Sequence, residues 1–178
     1  TGHLDLYHGS SVKVCLMTEL SQGSTALPPN HHAHVPGFAG LGGLVAALTF
    51  SVGRNDDADL AIALTGVGPG DVVVDIGCGP GVAVRRAAAQ GAAPAVGVDP
   101  ATVMLRVARL RRRPAVRYLD GTAEALPLAD DSATVAWSLA TVHHWNDIDR
   151  SLAEVRRVLR PAGRFLAMDR QVTPGASG

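Results

Sequence analysis

Short apolar runs alternate along this chain with longer stretches whose apolar residues recur three and four places apart, the pattern of strands separated by helices. The first run, Val72 to Ile76, is β-branched and almost uninterrupted, as expected of a parallel strand buried on both faces. Further runs stand at Ala95 to Val98, Ala115 to Leu119, Ser132 to Trp137 and Arg164 to Met168. Ala83 to Gln90, Thr102 to Arg113 and Asp147 to Leu159 carry the helical spacing between them. In the second of these helices Val103, Val107 and Leu110 form the expected buried face. In the third, Ile148, Leu152, Val155, Val158 and Leu159 point inward with Glu154 and the arginines outward, and Pro161 and Gly163 break it. Two helices are predicted before the first strand. Phe38 to Ser51 has leucines at Leu41, Leu44 and Leu48, and Asn55 to Thr65 has early acids Asp56, Asp57 and Asp59 with Gly66 as its stop.

Residues 1–36 break this order. They mix Ser, Thr, Gly, Pro and His around one strand-like run, Val12 to Met17, and read as a mobile leader ahead of an ordered core over residues 37–178. His31, His32 and His34 invite a metal reading, but no carboxylate or cysteine stands near them, so a solvated loop is expected and no metal site. A chain of 178 residues is long enough for one domain with a real core. Its formal net charge is zero, which argues against nucleic acid and anionic membranes as partners. The basic run at the end of the Thr102 helix is explained by the helix dipole. Cys15 and Cys78 form no metal-like pair or disulfide framework, so a reducing, cytoplasmic setting is expected. The most apolar stretch, Phe38 to Val52, is shorter than the roughly 20 residues of a membrane span, and no signal-peptide pattern opens the chain.

The candidate chemistry gathers at the end of the first strand, where VVVDIGCGPG puts an acid before glycines at three alternate positions. Glycines there let the backbone turn sharply and a ligand lie against it. A dinucleotide loop would need glycine where Val82 stands. A phosphate-binding loop would need a lysine, and the only one in the chain is Lys13. Asp99, at the tip of the second strand, can accept hydrogen bonds from both hydroxyls of a ribose, and its distance from the glycines suits one helix and a return strand.

Acid, glycines and strand together resemble motif I of the class I S-adenosylmethionine-dependent methyltransferases. DGTAEALPL, from Asp120 to Leu128, is similar to the family's adenine loop, and SLATVHHW and LAEVRRVLRPAGRFL are similar to its later segments. The resemblance covers about Gly37 to Asp169 and implies a three-layer, Rossmann-like core with strand order 3-2-1-4-5, ending before the family's C-terminal antiparallel hairpin. It implies that S-adenosylmethionine gives its methyl group to a small-molecule acceptor, leaving S-adenosylhomocysteine. Asp75, Gly77, Cys78, Gly79 and Gly81 would hold the methionine part, Asp99 with Pro100 the ribose, and Thr122, Ala123 and Glu124 the adenine. Thr122 stands where the family has an acid, so a hydroxyl would replace the usual carboxylate. Ser138 and Leu139 would border the methyl-bearing end, with His143 or His144 as candidate bases for the acceptor. Without the hairpin, strand five would present an exposed edge, a route to self-association, unless the leader or another subunit supplies a strand or the chain is a fragment. A catalytically incomplete cofactor-binding module is the alternative, and a nicotinamide-dependent oxidoreductase is disfavoured by Val82.

Overall fold

The computed structural model describes residues 5–9, 12–17, 55–111 and 113–170. The chain-order elements are β1 Asp5–Gly9, β2 Val12–Met17, α1 Asn55–Thr65, β3 Val73–Ile76, α2 Val82–Ala89, β4 Ala95–Asp99, α3 Thr102–Leu110, β5 Val116–Asp120, β6 Ala133–Leu139, α4 Ile148–Val158 and β7 Leu159–Arg170. A turn of 3₁₀ helix, Val142–His144, follows β6. The leucine-bearing stretch from Phe38 and the histidines at 31, 32 and 34 lie outside the described residues.

The sheet runs β1-β2-β7-β6-β3-β4-β5, and the five strands from β7 to β5 are parallel, in the expected 3-2-1-4-5 order. Every residue of β3 and β4 is buried, which is why neither shows polar alternation. At the outer position β5 alternates, with Val116 and Tyr118 inward and Arg117 outward. One face of the sheet packs Val73, Ala95, Val135 and Leu166 against Ala58 and Ala61 of α1, Val84 and Ala87 of α2, and Leu105 and Ala108 of α3. The other packs Val74, Val96, Ala136 and Phe165 with Val155 and Val158 of α4. These are three layers.

Three details depart from expectation. Strand five of the core, here β7, does not present an exposed edge, because β2 pairs antiparallel with it from Val12 against Arg170 to Met17 against Phe165, and β1 pairs outside β2. The basis for self-association through that edge is removed, and residues 5–9 and 12–17, read as part of a mobile leader, are strands. The antiparallel pair at this side of the sheet therefore comes from the N-terminal segment. On α3, the buried residues are Met104, Leu105, Val107 and Ala108, while Leu110 is 85% exposed. At 3.6 residues per turn Leu110 falls on the far side of the helix from Leu105 and Ala108. Finally, Pro161 and Gly163 do not separate helix from strand cleanly. β7 begins at Leu159, and residues 160–163 bulge between the Ala133–Leu159 and Val135–Arg164 pairs, with Ala162 at φ 63°.

At the amino edge of the sheet, Asp71 ties three strands together. Its carboxylate accepts from Thr134 Oγ1 at 2.7 Å, Arg164 Nη2 at 2.6 Å and the Gly68 amide at 3.1 Å. Burial works to raise its pKa, but those three hydrogen bonds and the Arg164 charge outweigh it and hold the group below the ordinary carboxylate value. Among the described residues no helix is long and apolar enough to cross a membrane.

A cleft at the carboxyl edge of the sheet

The opposite edge carries the candidate chemistry. Asp75 is the third residue of β3 and only 2% exposed, yet it lines a cleft together with Gly77, Cys78, Pro80, Val82, Ala83, Leu139 and Asp57. The turn between β3 and α2 has Gly77, Gly79 and Gly81 all at positive φ, at 76°, 52° and 74°. Two of them are also sterically required. A Cβ on Gly77 would lie 2.6 Å from Thr141 Oγ1, and one on Gly81 would collide with the Tyr118 hydroxyl. At Gly79 a Cβ would meet nothing within 4 Å, so the space over this part of the loop is open. The Gly77 and Cys78 amides donate to the carbonyl of Val98 at 2.8 and 3.0 Å, which hangs the loop from β4.

Asp99 completes the suspension. Its Oδ2 accepts from the Gly79 amide at 2.7 Å and its Oδ1 from the Ala101 amide at 2.8 Å. An ionised carboxylate has about four lone-pair sites, more than these two bonds use. Pro100 beside it is exposed. Cys78 is buried, with its sulfur under Gly97, and burial together with the Asp75 and Asp99 charges pushes its thiol pKa well up. It is a packing residue of the loop, not a nucleophile.

The remaining expected site residues separate into two groups. Thr122, Ala123 and Glu124 lie in the segment after β5, which α4 holds in place: Glu154 accepts from the Leu126 amide at 2.8 Å, and Arg157 donates to the carbonyls of Leu126 and Leu128. Glu154 was expected to face outward, but its carboxylate faces this segment, and its pKa is lowered by the Arg157 hydrogen bonds above all. Glu124 accepts from the amides of Asn146 and Asp147 at 2.7 and 3.4 Å, so its carboxylate organises the start of α4. Burial works against ionisation there, but backbone amides and the Thr122 hydroxyl prevail and lower its pKa. The second group follows β6. Ser138 was expected at the cofactor's reactive end, but it is fully buried and its hydroxyl lies 2.5 Å from Thr141 Oγ1, which donates to the carbonyl of Ile76 at 2.9 Å. Ser138 acts on the cleft through Thr141, whereas Leu139 lines the cleft itself. His143 sits in the 3₁₀ turn against Asp169, and His144 is exposed.

Asp57, Tyr118, Thr141 and Asp169 belong to this region and carried no functional reading in sequence. For Tyr118 a signal existed: Gly97 lies inside β4, where glycine marks a close approach, and it is the register partner of Tyr118.

A glycine loop hung from β4, above a buried acid at the end of a central strand, fits what the methyltransferase resemblance implied. A family described as methyltransferase domain matches residues 74–167, more than half of the chain. The chain belongs to the methyltransferase-domain family. It is 38% identical over 119 residues to the demethylmenaquinone methyltransferase of Symbiobacterium thermophilum, a match covering 61% of this chain and 46% of that enzyme. The crystal structure of YcgJ from Bacillus subtilis superposes with a TM-score of 0.59 and 33% identity, over 64% of this chain and 50% of that one. An S-adenosylmethionine-dependent methyltransferase from Mesorhizobium loti gives 0.56 and 30%, over 60% and 49%. The chain spans less than half the length of the first curated relatives it matches.

The donor set fits the family's cofactor. A buried carboxylate is suited to an ammonium group, Asp99 to ribose hydroxyls, and the open face of Gly79 to a ligand lying against the backbone.

Proposed function

We propose that this methyltransferase domain binds S-adenosylmethionine in the cleft at Asp75 and transfers its methyl group to a small-molecule acceptor. The observation that carries the reading is the Asp99–Gly79 bond, which couples the ribose-accepting acid to the glycine loop. S-adenosylmethionine brings a methyl group already activated on a sulfonium, so the protein's task is mainly positioning. Asp75 and the glycine turn would hold the methionine part, and Asp57 adds a second carboxylate at the same cleft. Asp99 would take the ribose, while Thr122 and the Ala123 amide would border the adenine. Leu139 supplies an apolar wall where the acceptor meets the methyl group. The zero net charge and the likeness to a quinone-modifying enzyme support a small acceptor over a nucleic acid.

Calorimetric titration with S-adenosylhomocysteine tests this. Saturable binding that Asp99→Ala and Asp75→Asn weaken is expected, and no binding by the folded chain would overturn the reading. The chain's coverage of its relatives favours one second reading, a binding module that needs further residues for turnover. Binding without transfer to any acceptor would identify it.

A further inference from the structure

His143 in the 3₁₀ turn after β6 pairs with Asp169 of β7, and the cofactor reading above gives this pair no role. His143 Nδ1 lies 3.0 Å from both Oδ1 and Oδ2 of Asp169, and the His143 amide donates to Asp169 Oδ2 at 3.2 Å. Asp169 follows Met168, which pairs with Leu139, so the carboxylate stands at the carboxyl end of β7 beside the turn. The same turn is fastened to the cofactor loop by Thr141, which bonds the carbonyl of Ile76 and fills the space beside Gly77. Leu139, four residues before His143, lines the cleft. The pair thus stands in the turn region that joins the cleft's Leu139 to the glycine loop. It remains open to solvent, with side-chain exposures of 35% for His143 and 22% for Asp169.

We infer that His143, oriented by Asp169, is the general base that takes the proton from an acceptor hydroxyl, and that His144 is not. The inference rests on the methyltransferase reading above. A carboxylate on Nδ1 selects the tautomer with its proton there, which makes Nε2 the basic nitrogen and fixes the ring plane. This is the arrangement by which imidazole deprotonates a hydroxyl in other enzymes. The chemistry also narrows the acceptor class to one with a proton to lose. A thioether or tertiary amine has no proton to lose, and a thiol ionises readily by itself, whereas a hydroxyl gains most from a positioned base. In the step, the hydroxyl proton passes to Nε2 and the freed oxygen lone pair forms the new O–CH3 bond. The electron pair of the breaking C–S bond stays on sulfur, and the imidazolium later gives its proton to water. Among the described residues, the charged and titratable groups facing His143 include Asp169 from β7 and His144, whose ring centroid is 4.0 Å away. On β2, Lys13 is the register partner of Asp169.

Three measurements on the whole chain test the assignment. Titration with S-adenosylhomocysteine separates the two readings: His143→Ala and Asp169→Asn are expected to bind within about twofold of the parent, because neither holds the cofactor. Ring-¹⁵N NMR is expected to show His143 as the Nδ1–H tautomer, with its signals moved by Asp169→Asn. Methyl transfer is then followed with catechol, p-cresol and cyclohexanol as hydroxyl probes and with aniline and thiophenol as comparators. Loss of a general base is expected to lower kcat by about 10²- to 10⁴-fold in His143→Ala with KM little changed. The acid limb of the kcat/KM profile should disappear, and added imidazole should restore part of the rate. Asp169→Asn should fall between parent and His143→Ala. A loss in His144→Ala equal to that in His143→Ala would overturn the assignment, as would the other tautomer, or transfer to aniline or thiophenol but to no hydroxyl probe. A parent that binds S-adenosylhomocysteine yet methylates none of the probes overturns the hydroxyl class. A folded parent that does not bind it overturns the methyltransferase reading, and the base assignment with it.

Discussion

The two edges of the central sheet use carboxylates for opposite ends. At the amino edge, Asp71 is matched by an arginine, a hydroxyl and an amide, and the result is a closed clamp over β3, β6 and β7. At the carboxyl edge, Asp99 accepts from the Gly79 amide of the glycine turn and from the Ala101 amide ahead of α3, and Asp75 lines a cleft. A cationic side chain satisfies a carboxylate and fixes it as structure. Amides of a loop leave it lone pairs to share with a ligand. The same parallel strands thus end in a brace on one side and a binding site on the other, as open α/β sheets generally place ligands outside the carboxyl ends of their strands.

The largest test of this contrast is Gly77→Ala. Positive φ costs about 1–2 kcal/mol for an L-residue, and the clash with Thr141 adds a comparable amount, so a loss of about 2–4 kcal/mol is expected in urea denaturation. Adding Thr141→Gly, which removes the Cβ as well as the hydroxyl and methyl, should return the steric part and leave the backbone part. Next, Asp99→Asn is expected to weaken S-adenosylhomocysteine binding by about 10- to 100-fold, since bonds to a charged acceptor contribute about 1.5–3 kcal/mol. Stability should fall by less than affinity does. If it fell more, the carboxyl edge would be a brace too.

Asp71→Asn should show the reverse, losing about 1–3 kcal/mol of stability with the binding constant within about twofold. This group also gives the comparison a pH axis. Its native pKa is below the unfolded value of 3.8, so its contribution is complete above that pH and is lost as pH falls through the native value. Glu154, lowered from 4.5, acts in the same direction. The urea midpoint of the parent should therefore hold from neutral pH down to about 5 and drop below about 4, and Asp71→Asn should flatten part of that drop. The smallest expected effect is a gain. Ala162 sits at φ 63° in the bulge of β7, and Ala162→Gly should stabilise by about 0.5–1 kcal/mol, strain relief exceeding the added chain entropy.

Local pattern was enough for much of this molecule. Asn55–Thr65 was legible from its acids and its glycine stop, and β3 from an apolar run ending in an acid and a glycine turn. Both signals lie within one element, where period and end residues are set by backbone geometry. Leu110 shows where this fails, because three apolar residues on a helical spacing do not say which arc of the helix meets the sheet. Ser138 and Thr141 show it at the site: the hydroxyl expected at the cleft is buried, and its neighbour, 65 residues from its bonding partner Ile76, forms the contact with the loop.

By itself, then, the sequence determined the order and kind of the core elements, the acid and glycines of the turn, and Asp99 at the next strand tip, because each is written in neighbouring residues. Only the tertiary structure decided that residues 12–17 cover the edge of β7, that Tyr118 stands under Gly81, and that Asp169 holds His143. Those pairings join residues 26 to about 160 places apart, and no local periodicity records them. They exist because parallel strands bring the carboxyl ends of distant segments to one edge, where a side chain's partner is set by register and sheet order.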